Sequence, residues 1–205
     1  MFSEIEVEIM LLGIVGNIVP TLARMEKRAC DKAGVEKRIY GVSQFKSDQQ
    51  RKQIEDIGIE TIRGDLLDIS FIKTLPKAKN VFFLAGMKFG SEENISLTWA
   101  VNSYMPALIA DYFKESNIVA FSTGCVYPLV PVVSGGSLET DPPLPVGEYA
   151  QSCLGRERMF EYGSKNHQTK VCLIRLNYAV ELRYGVLVDI ATKVKNQESI
   201  DLSRG

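Results

Sequence analysis

The segment "LLGIVGNIV", residues 11–19, places two glycines between an apolar run and a helical pattern. The run at 5–13 alternates and then becomes continuously apolar, which is typical of a strand entering a covered sheet. After it, a helical pattern predicts a sheet-facing stripe made of Ile18, Leu22, Met25 and Ala29. Gly13 and Gly16 therefore occupy a strand-to-helix turn, where glycine lets the backbone approach a pyrophosphate at a helix N-terminus. A plain tight turn is the alternative, because Val19 replaces the third glycine of the full fingerprint.

The alternation of strands and helices continues along the chain. Further strand patterns occur at 38–42, 59–65, 80–86, 117–124 and 170–177. Further helical patterns occur at 47–57, 92–114, 148–165 and 187–195. Strands that alternate with helices pair in parallel through right-handed crossovers. The sequence therefore predicts an α/β fold, a doubly wound parallel sheet of the Rossmann type with helices on both faces.

The end of the second predicted strand bears on the choice of cofactor. In a Rossmann fold, an acidic residue there binds the ribose 2′-hydroxyl of NAD, whereas a nearby cation accepts the 2′-phosphate of NADP. Here the strand ends at Ser43 and Gln44, and Lys46 follows, so no carboxylate would repel a phosphate. We therefore predict NAD or NADP and favour NADP. Asp65, after the third strand, is placed either to contact the adenine amino group or to lie in solvent.

Composition and charge exclude several kinds of partner and site. The 205 residues carry a net charge of −1 and a pI near 6.0, which gives no indication of nucleic acid as a partner. No apolar run approaches the length of a membrane span, and the acidic N-terminus is unlike a signal peptide. The four cysteines are too widely spaced for a zinc site or a disulfide framework, which favours a reducing cytoplasm and no metal.

Several segments follow one another in a specific order: "GIVGNIV", "GDLLD", "VFFLAG", "WAVNSYMPAL", "AFSTGCVYP", "EYAQSCLGRE" and "LIRLNYAVE". In this order they resemble the extended short-chain dehydrogenase/reductase superfamily, in its NAD-dependent epimerase/dehydratase group. The resemblance implies hydride transfer between a nicotinamide and a hydroxyl or carbonyl of a sugar, nucleotide-sugar or sugar acid. The alternative is a catalytically impaired dinucleotide-binding protein with a sensing or subunit role.

The resemblance implies roles for individual residues. Tyr149 matches the family's acid/base tyrosine, and Thr123 matches the residue that polarises the substrate oxygen. The implied cofactor contacts are Gly13, Val15, Gly16, Asn17, Ile18, Ser43, Gln44, Asp65, Leu66, Leu84, Ala85, Gly86, Asn102, Ser122, Tyr149, Asn177, Ala179 and Val180. Gly124 and Cys125 stand where sugar-nucleotide 4,6-dehydratases of this group carry an Asp-Glu pair, which disfavours that elimination reaction.

One position departs from the family pattern. The family has a lysine four residues after the tyrosine, where its charge lowers the tyrosine pKa, and here that residue is Cys153. Arg156, one turn further along the same helical face, is one candidate for the missing charge. Alternatively, Tyr149 acts only as a hydrogen-bond donor or has no role. In a third interpretation Cys153 is itself reactive, against which stands its use as a buried apolar filler.

The remaining predictions concern the domain, one loop and assembly. Residues 1–205 are predicted to form one dinucleotide-binding domain, in which 181–205 lead toward a substrate-binding lobe that is missing or truncated. The segment 127–147 is rich in proline and long for a compact domain, which is typical of a functional loop. In the family, the helices corresponding to 92–114 and 148–165 pair across a dimer, so the resemblance implies a homodimer.

Overall fold

The computed structural model describes residues 8–16, 19–88, 90–177 and 184–200. The strands are β1 (Glu8–Leu12), β2 (Arg38–Ser43), β3 (Glu60–Arg63), β4 (Asn80–Phe83), β5 (Asn117–Thr123) and β6 (Lys170–Leu176). They form one sheet in the order β3-β2-β1-β4-β5-β6, in which β1 to β5 pair in parallel. The direction of winding changes between β1 and β4, so the predicted doubly wound fold is confirmed.

The helices lie close to the predicted positions. They are α1 (Val19–Ala33), α2 (Asp48–Glu55), α3 (Ile69–Ile72), α4 (Ile95–Trp99), α5 (Met105–Tyr112), α6 (Gly147–His167) and α7 (Val186–Lys195). A π-helical turn, Ala100–Tyr104, joins α4 to α5, so the helix predicted at 92–114 contains a local change in hydrogen bonding. The short helix α3 was not predicted, because four residues give no periodic signal.

The core lies on both faces of the sheet. Along β1, Met10 and Leu12 belong to one apolar cluster, and Ile9 and Leu11 belong to the other. Since successive side chains of a strand point to opposite faces, helices must cover both sides of this strand. Coverage of both faces explains why the sequence of β1 is continuously apolar.

Helix α1 faces the sheet with a different stripe from the predicted one. Ala23, Glu26 and Cys30 are buried, whereas Met25 is 60% exposed, so the buried face is rotated by one residue. The prediction was wrong because it followed apolar residues only, and Glu26 is polar. Neither carboxylate oxygen of Glu26 has a hydrogen-bond partner within the part of the chain that the structure describes. Burial without a partner raises the pKa of this carboxyl from 4.5 to about 8.

Glu26→Gln is expected to stabilise the protein above neutral pH. The raised pKa means that the folded protein keeps the proton while the unfolded chain loses it, so the native free energy of unfolding falls as pH rises from 4.5 to about 8. Glutamine is neutral at every pH and does not show this fall. Glu26→Gln should therefore be more stable than the native protein by about 2–4 kcal/mol near pH 8, and equally stable near pH 4.5.

Denaturant unfolding across this pH range measures the effect. Glu36→Gln, at an exposed carboxylate just after α1, is the matched control and should leave the pH dependence unchanged. Parallel pH profiles for native protein and Glu26→Gln would show that Glu26 is ionised in the fold.

The structure divides into a compact unit that ends at Arg175 and a second unit that begins at Leu176. In the second unit, α7 exposes a set of large apolar side chains: Val186, Leu187, Ile190 and Val194. Whether 1–205 act as one domain stays a prediction. Among the described helices, none combines the length and apolar character needed to cross a bilayer.

Candidate active site

The turn after β1 packs directly against the segment that follows β4. Gly13 has a φ of 92°, and a Cβ atom there would lie 2.6 Å from the backbone nitrogen of Ala85. The Gly13 and Ile14 N–H groups both donate to the Val42 carbonyl, which ties the turn to the end of β2. The carboxyl ends of three strands therefore meet at the point where the winding direction changes, which is where open α/β sheets bind ligands.

A cation that the sequence patterns did not indicate lies at the end of β2. The Arg63 guanidinium, at the end of β3, donates to the carbonyls of Gln44 (3.0 Å) and Phe45 (2.9 Å). It also lies 3.3 Å from the Asp48 carboxylate, and its side chain is half exposed. Phe45 is buried with a φ of 45°, so Arg63 holds a strained turn next to Ser43. A lone polar residue at a strand end gives no sequence signal of this kind.

In the turn after β3, Asp65, which was predicted to contact the adenine, binds the protein's own backbone. Asp65 Oδ1 accepts a hydrogen bond from the Leu67 N–H at 2.9 Å, so one carboxylate oxygen caps the turn. The Leu66 side chain is buried in the core. The adenine contacts of Asp65 and Leu66 stay predictions.

The structure brings Tyr149 and Thr123 together at the carboxyl edge of the sheet. Thr123 is the last residue of β5, and Tyr149 lies in the first turn of α6. The Thr123 side chain lies close enough to the Tyr149 phenol to lower its pKa. Thr123 Oγ1 also accepts from the Cys125 N–H at 3.2 Å, which leaves its proton available for Tyr149 or a ligand. A proton donor and a polarising hydroxyl thus face the same space.

The surroundings of Tyr149 keep its phenol protonated. Burial raises its pKa to about 12, and the neighbouring Cys153 thiol contributes in the same direction. The Thr123 hydroxyl and the Arg156 guanidinium lower the pKa, but they do not compensate for burial. At neutral pH Tyr149 therefore carries its proton, and the phenolate that could accept one is rare.

Cys153 occupies the lysine position as a buried thiol. It is 1% exposed, and burial raises its pKa, which opposes the formation of a thiolate. A neutral thiol supplies no positive charge to Tyr149. The structure therefore favours the apolar-filler interpretation over a reactive cysteine.

Arg156 places a buried cation beneath the site. Its Nη1 donates to the Phe121 carbonyl at 2.7 Å, and its Nη2 donates to Asn102 Oδ1 at 2.9 Å. A Cβ atom at Gly86 would lie 2.6 Å from Nη2, so only glycine lets the segment after β4 cross this guanidinium. Because these donors are bound to protein oxygens, Arg156 acts on Tyr149 through its charge and through the groups it positions.

Asn102 lies on the π-helical turn and is fully buried. Its Oδ1 accepts from the Met87 N–H at 2.9 Å as well as from Arg156. Its Nδ2 donates to the Met87 carbonyl at 2.9 Å and to Ser152 Oγ at 3.0 Å. Every polar group of this amide has a protein partner, so Asn102 fixes the segment after β4 and has no donor or acceptor to spare for a cofactor.

A buried ionic network lies behind the Thr123–Tyr149 pair. Ser122 Oγ donates to Glu157 Oε1 at 2.5 Å, so its hydroxyl turns into the protein. The Glu157 carboxylate is fully buried and pairs with the Arg175 guanidinium at 2.8 Å. Sequence reasoning missed this pair, although an arginine inside the apolar strand β6 is a signal, because a buried cation requires a partner.

The other predicted residues divide into three groups. Val15, Gly16 and the segment 84–86 lie at the strand edge described above. Asn177 is exposed and belongs to the second unit. A final group lies outside the described residues: Asn17, Ile18, Ala179 and Val180.

Two cavities occur at the opposite, amino edge of the sheet. Their volumes are about 530 and 380 Å³, and Lys79, Lys114 and Glu115 line both of them. Lys77 donates to the carbonyl of Tyr112, the last residue of α5, and Lys79 donates to the carbonyl of Glu115, so these cations satisfy the C-terminal end of this helix and the turn after it. The described residues contain no cluster of His, Cys, Asp and Glu that could hold a metal ion.

Comparison with protein families gives one match. Residues 21–180 fit the sequence profile of the NAD dependent epimerase/dehydratase family. No curated protein is significantly similar in sequence.

Solved structures share the fold at low identity. UDP-glucuronic acid 4-epimerase from Bacillus cereus, in complex with UDP-glucuronic acid and NAD, has a TM-score of 0.75 and 18% identity over 94% of this chain and 64% of that chain. The dTDP-glucose 4,6-dehydratase of Bacillus anthracis in complex with NAD has a TM-score of 0.75 and 14% identity over 94% of this chain and 62% of that chain. A short-chain dehydrogenase/reductase superfamily protein from Agrobacterium tumefaciens with bound NAD has a TM-score of 0.64 and 19% identity over 82% of this chain and 48% of that chain. The chain spans less than two thirds of the length of each of these structures.

Proposed function

Because the chain belongs to the NAD-dependent epimerase/dehydratase family, we propose that it transfers hydride between a nicotinamide dinucleotide and a hydroxyl or carbonyl of a sugar, nucleotide-sugar or sugar acid. The observation that carries the proposal is the proximity of Tyr149 to Thr123 at the carboxyl edge of the sheet. The solved structures that share the fold contain NAD, and one contains UDP-glucuronic acid, which supports this class of ligand. Both an epimerase reaction and a simple dehydrogenase reaction could use Tyr149 and Thr123 in this way.

The strand edge fits a dinucleotide. Gly13 lets the turn after β1 lie against the backbone of Ala85, Gly86 lets the segment after β4 lie against Arg156, and Gly16 is exposed. The first turn of α1 contains no acidic residue, so the N–H groups and dipole at this helix end favour a pyrophosphate. A bound nicotinamide dinucleotide would supply the hydride acceptor or donor.

The chain's own residues manage the proton. The Thr123 hydroxyl orients the substrate oxygen, and Tyr149 Oη gives a proton to a carbonyl oxygen or takes one from a hydroxyl. The Arg156 charge favours the phenolate that forms when Tyr149 gives up its proton. The proton on Tyr149 and the hydride on the nicotinamide together balance the reduction of one carbonyl to one alcohol.

Incubation with each dinucleotide and a panel of nucleotide-sugars and sugar acids tests the proposal. We expect a change in nicotinamide absorbance for dehydrogenase activity, or a new sugar stereoisomer by NMR for epimerase activity. Failure of every substrate to react, together with no heat of dinucleotide binding in calorimetry, would contradict it.

The second candidate is a dinucleotide-binding protein with a sensing or subunit role. The observation that favours it is the pKa of Tyr149, raised to about 12 beside a cysteine in the lysine position. This candidate predicts thermal stabilisation by NAD or NADP without turnover of any sugar. Detection of hydride transfer would exclude it.

We further propose that NADP is preferred over NAD. Three features at the end of β2 support a 2′-phosphate: no carboxylate follows Ser43, Lys46 is exposed, and the Arg63 guanidinium is held beside the Gln44 carbonyl. A cation near this position accepts a phosphate, whereas NAD sites carry an acidic residue. Asp48 offsets part of the Arg63 charge.

Ser43→Asp should reverse the preference. The added carboxylate would repel a 2′-phosphate and accept a hydrogen bond from a 2′-hydroxyl, so NADP affinity should fall about 10–100-fold while NAD affinity holds or rises. Calorimetry with both dinucleotides measures the ratio. Ser47→Asp adds the same charge four residues further along the chain and keeps the N-cap of α2, so it should change neither affinity by more than a few-fold. Equal effects of the two substitutions would argue against a phosphate site at Ser43.

We also propose a homodimer through the helical segments 92–114 and 148–165. The first of these exposes several large apolar side chains: Ile95, Leu97, Trp99 and Tyr104. A second copy would cover them, as the resemblance implies. Sedimentation equilibrium that reports a monomer at micromolar concentration would contradict the dimer.

A further inference from the structure

The loop 127–147 connects β5, which ends at Thr123, to α6, which carries Tyr149. It begins just after Thr123 and its turn, and it ends at the first residues of α6, which carries Tyr149. Its course therefore borders the space in front of Thr123 and Tyr149. The loop exposes large apolar side chains, among which Leu129 is 93%, Val133 95% and Val146 83% exposed. These side chains contribute little packing to hold the loop in place.

Few hydrogen bonds tie the loop to the fold. Within the described residues, the backbone of 128–146 makes one such bond, from the Leu144 N–H to the Val126 carbonyl at 2.9 Å. Other bonds are local, such as that from the Leu138 N–H to Asp141 Oδ2. Gly135 and Gly136 have positive φ, and in the described part of the chain no atom of another segment would lie within 4 Å of a Cβ at either position. The middle of the loop is therefore unsupported.

The start of the loop is anchored differently, by an ionic network. Arg175 Nη1 donates to the Tyr127 hydroxyl at 2.5 Å, and the guanidinium carbon lies 4.7 Å from the centre of the Tyr127 ring. The same guanidinium binds Glu157 through Nε and Nη2. Glu157 in turn accepts from Ser122, the residue before Thr123. One network thus joins the loop to the strand that carries Thr123 and to the helix that carries Tyr149.

We propose that Tyr127 is a positioning residue for the substrate. Its hydroxyl, bound to Arg175, sets the direction in which the loop leaves the site, so that the loop lies over the Thr123–Tyr149 pair. A hydrogen bond to a charged group is stronger than one between neutral groups, and Glu157 keeps Arg175 in place to make it. The substrate part of this inference rests on the proposed function, whereas the ordering of the loop does not.

Tyr127→Phe tests the proposal without disturbing the ion pair, because phenylalanine keeps the ring beside the guanidinium. We expect hydrogen exchange of the Leu144 amide, which is bound to the Val126 carbonyl next to Tyr127, to become about tenfold faster, which is the loss expected for a hydrogen bond to a charged group. With an active substrate, KM should rise about tenfold, while kcat and the dinucleotide affinity change less than about twofold.

Tyr112→Phe is the matched control. Tyr112 also carries a cation over its ring, Lys77, and its hydroxyl donates to the Leu75 carbonyl at 2.6 Å, away from the site. Removal of the Tyr112 hydroxyl should leave the exchange of the Leu144 amide unchanged. Unchanged exchange in Tyr127→Phe, or an equal increase in both variants, would overturn the proposal. If no substrate reacts, the proposed function fails, and the exchange measurement still decides whether Tyr127 holds the loop.

Discussion

Tyr149→Phe is expected to lower kcat by about a thousandfold, which is within the usual contribution of a positioned general acid or base. Phenylalanine keeps the ring beside Thr123 and Cys153 and removes only the oxygen that exchanges a proton with the substrate. Thr123 cannot replace it, because a hydroxyl of ordinary acidity is a poor proton donor at neutral pH. The dinucleotide affinity should change by less than about tenfold, the effect of one hydrogen bond.

The pKa of Tyr149 also sets the direction of the pH dependence. Because burial raises this pKa to about 12, the phenol is protonated at neutral pH and ready to donate in the reduction of a carbonyl. Oxidation of an alcohol needs the phenolate, whose fraction rises about tenfold for each unit of pH below the pKa. The oxidation rate should therefore increase with pH to beyond about pH 9, while the reduction rate stays nearly constant.

Steady-state kinetics in both directions measure these effects. Tyr162→Phe, at an exposed tyrosine on the same helix, is the control and should retain native kinetics. Native turnover in Tyr149→Phe would remove Tyr149 from the reaction. An oxidation rate that levels off near neutral pH would show that bound ligands or Arg156 lower the pKa far more than the structure indicates.

The architecture could be read from the sequence because its signals are local or ordered along the chain. Alternating strand and helix patterns predict parallel pairing without knowledge of any contact. The resemblance identified Thr123 and Tyr149, and the alternation explains why they lie at one edge, since one residue ends a strand and the other begins the next long helix. In parallel α/β folds these two positions meet at the carboxyl edge.

The roles of buried polar groups could not be read in this way. Asn102 matched a residue near the cofactor, but a π-helical turn directs its amide to Met87 and Arg156, and such a turn has no simple sequence pattern. Glu26 is buried because α1 is rotated from its apolar stripe. Burial of this kind depends on how whole elements pack, and the periodicity of one helix does not contain that information.

Arg156→Met is expected to have the second-largest effect, because Arg156 combines a charge with several hydrogen bonds. Methionine leaves the Phe121 carbonyl without its donor and loosens Asn102, which holds Met87 after β4. The protein should lose about 1–3 kcal/mol of stability for the unsatisfied buried groups. Loss of the charge removes one of the two influences that lower the Tyr149 pKa, so kcat should fall about 10–100-fold and the oxidation profile should shift to higher pH.

Arg156→Lys separates the two contributions. Lysine keeps the charge, but a single ammonium group does not reproduce the fork that reaches both Phe121 and Asn102. We expect the oxidation profile to stay near its native pH while stability falls, whereas Arg158→Met, at an exposed arginine on the same helix, should change neither. If Arg156→Met kept the native pH profile, the charge would have no part in proton transfer, and Arg156 would be a structural residue that does not replace the family's lysine.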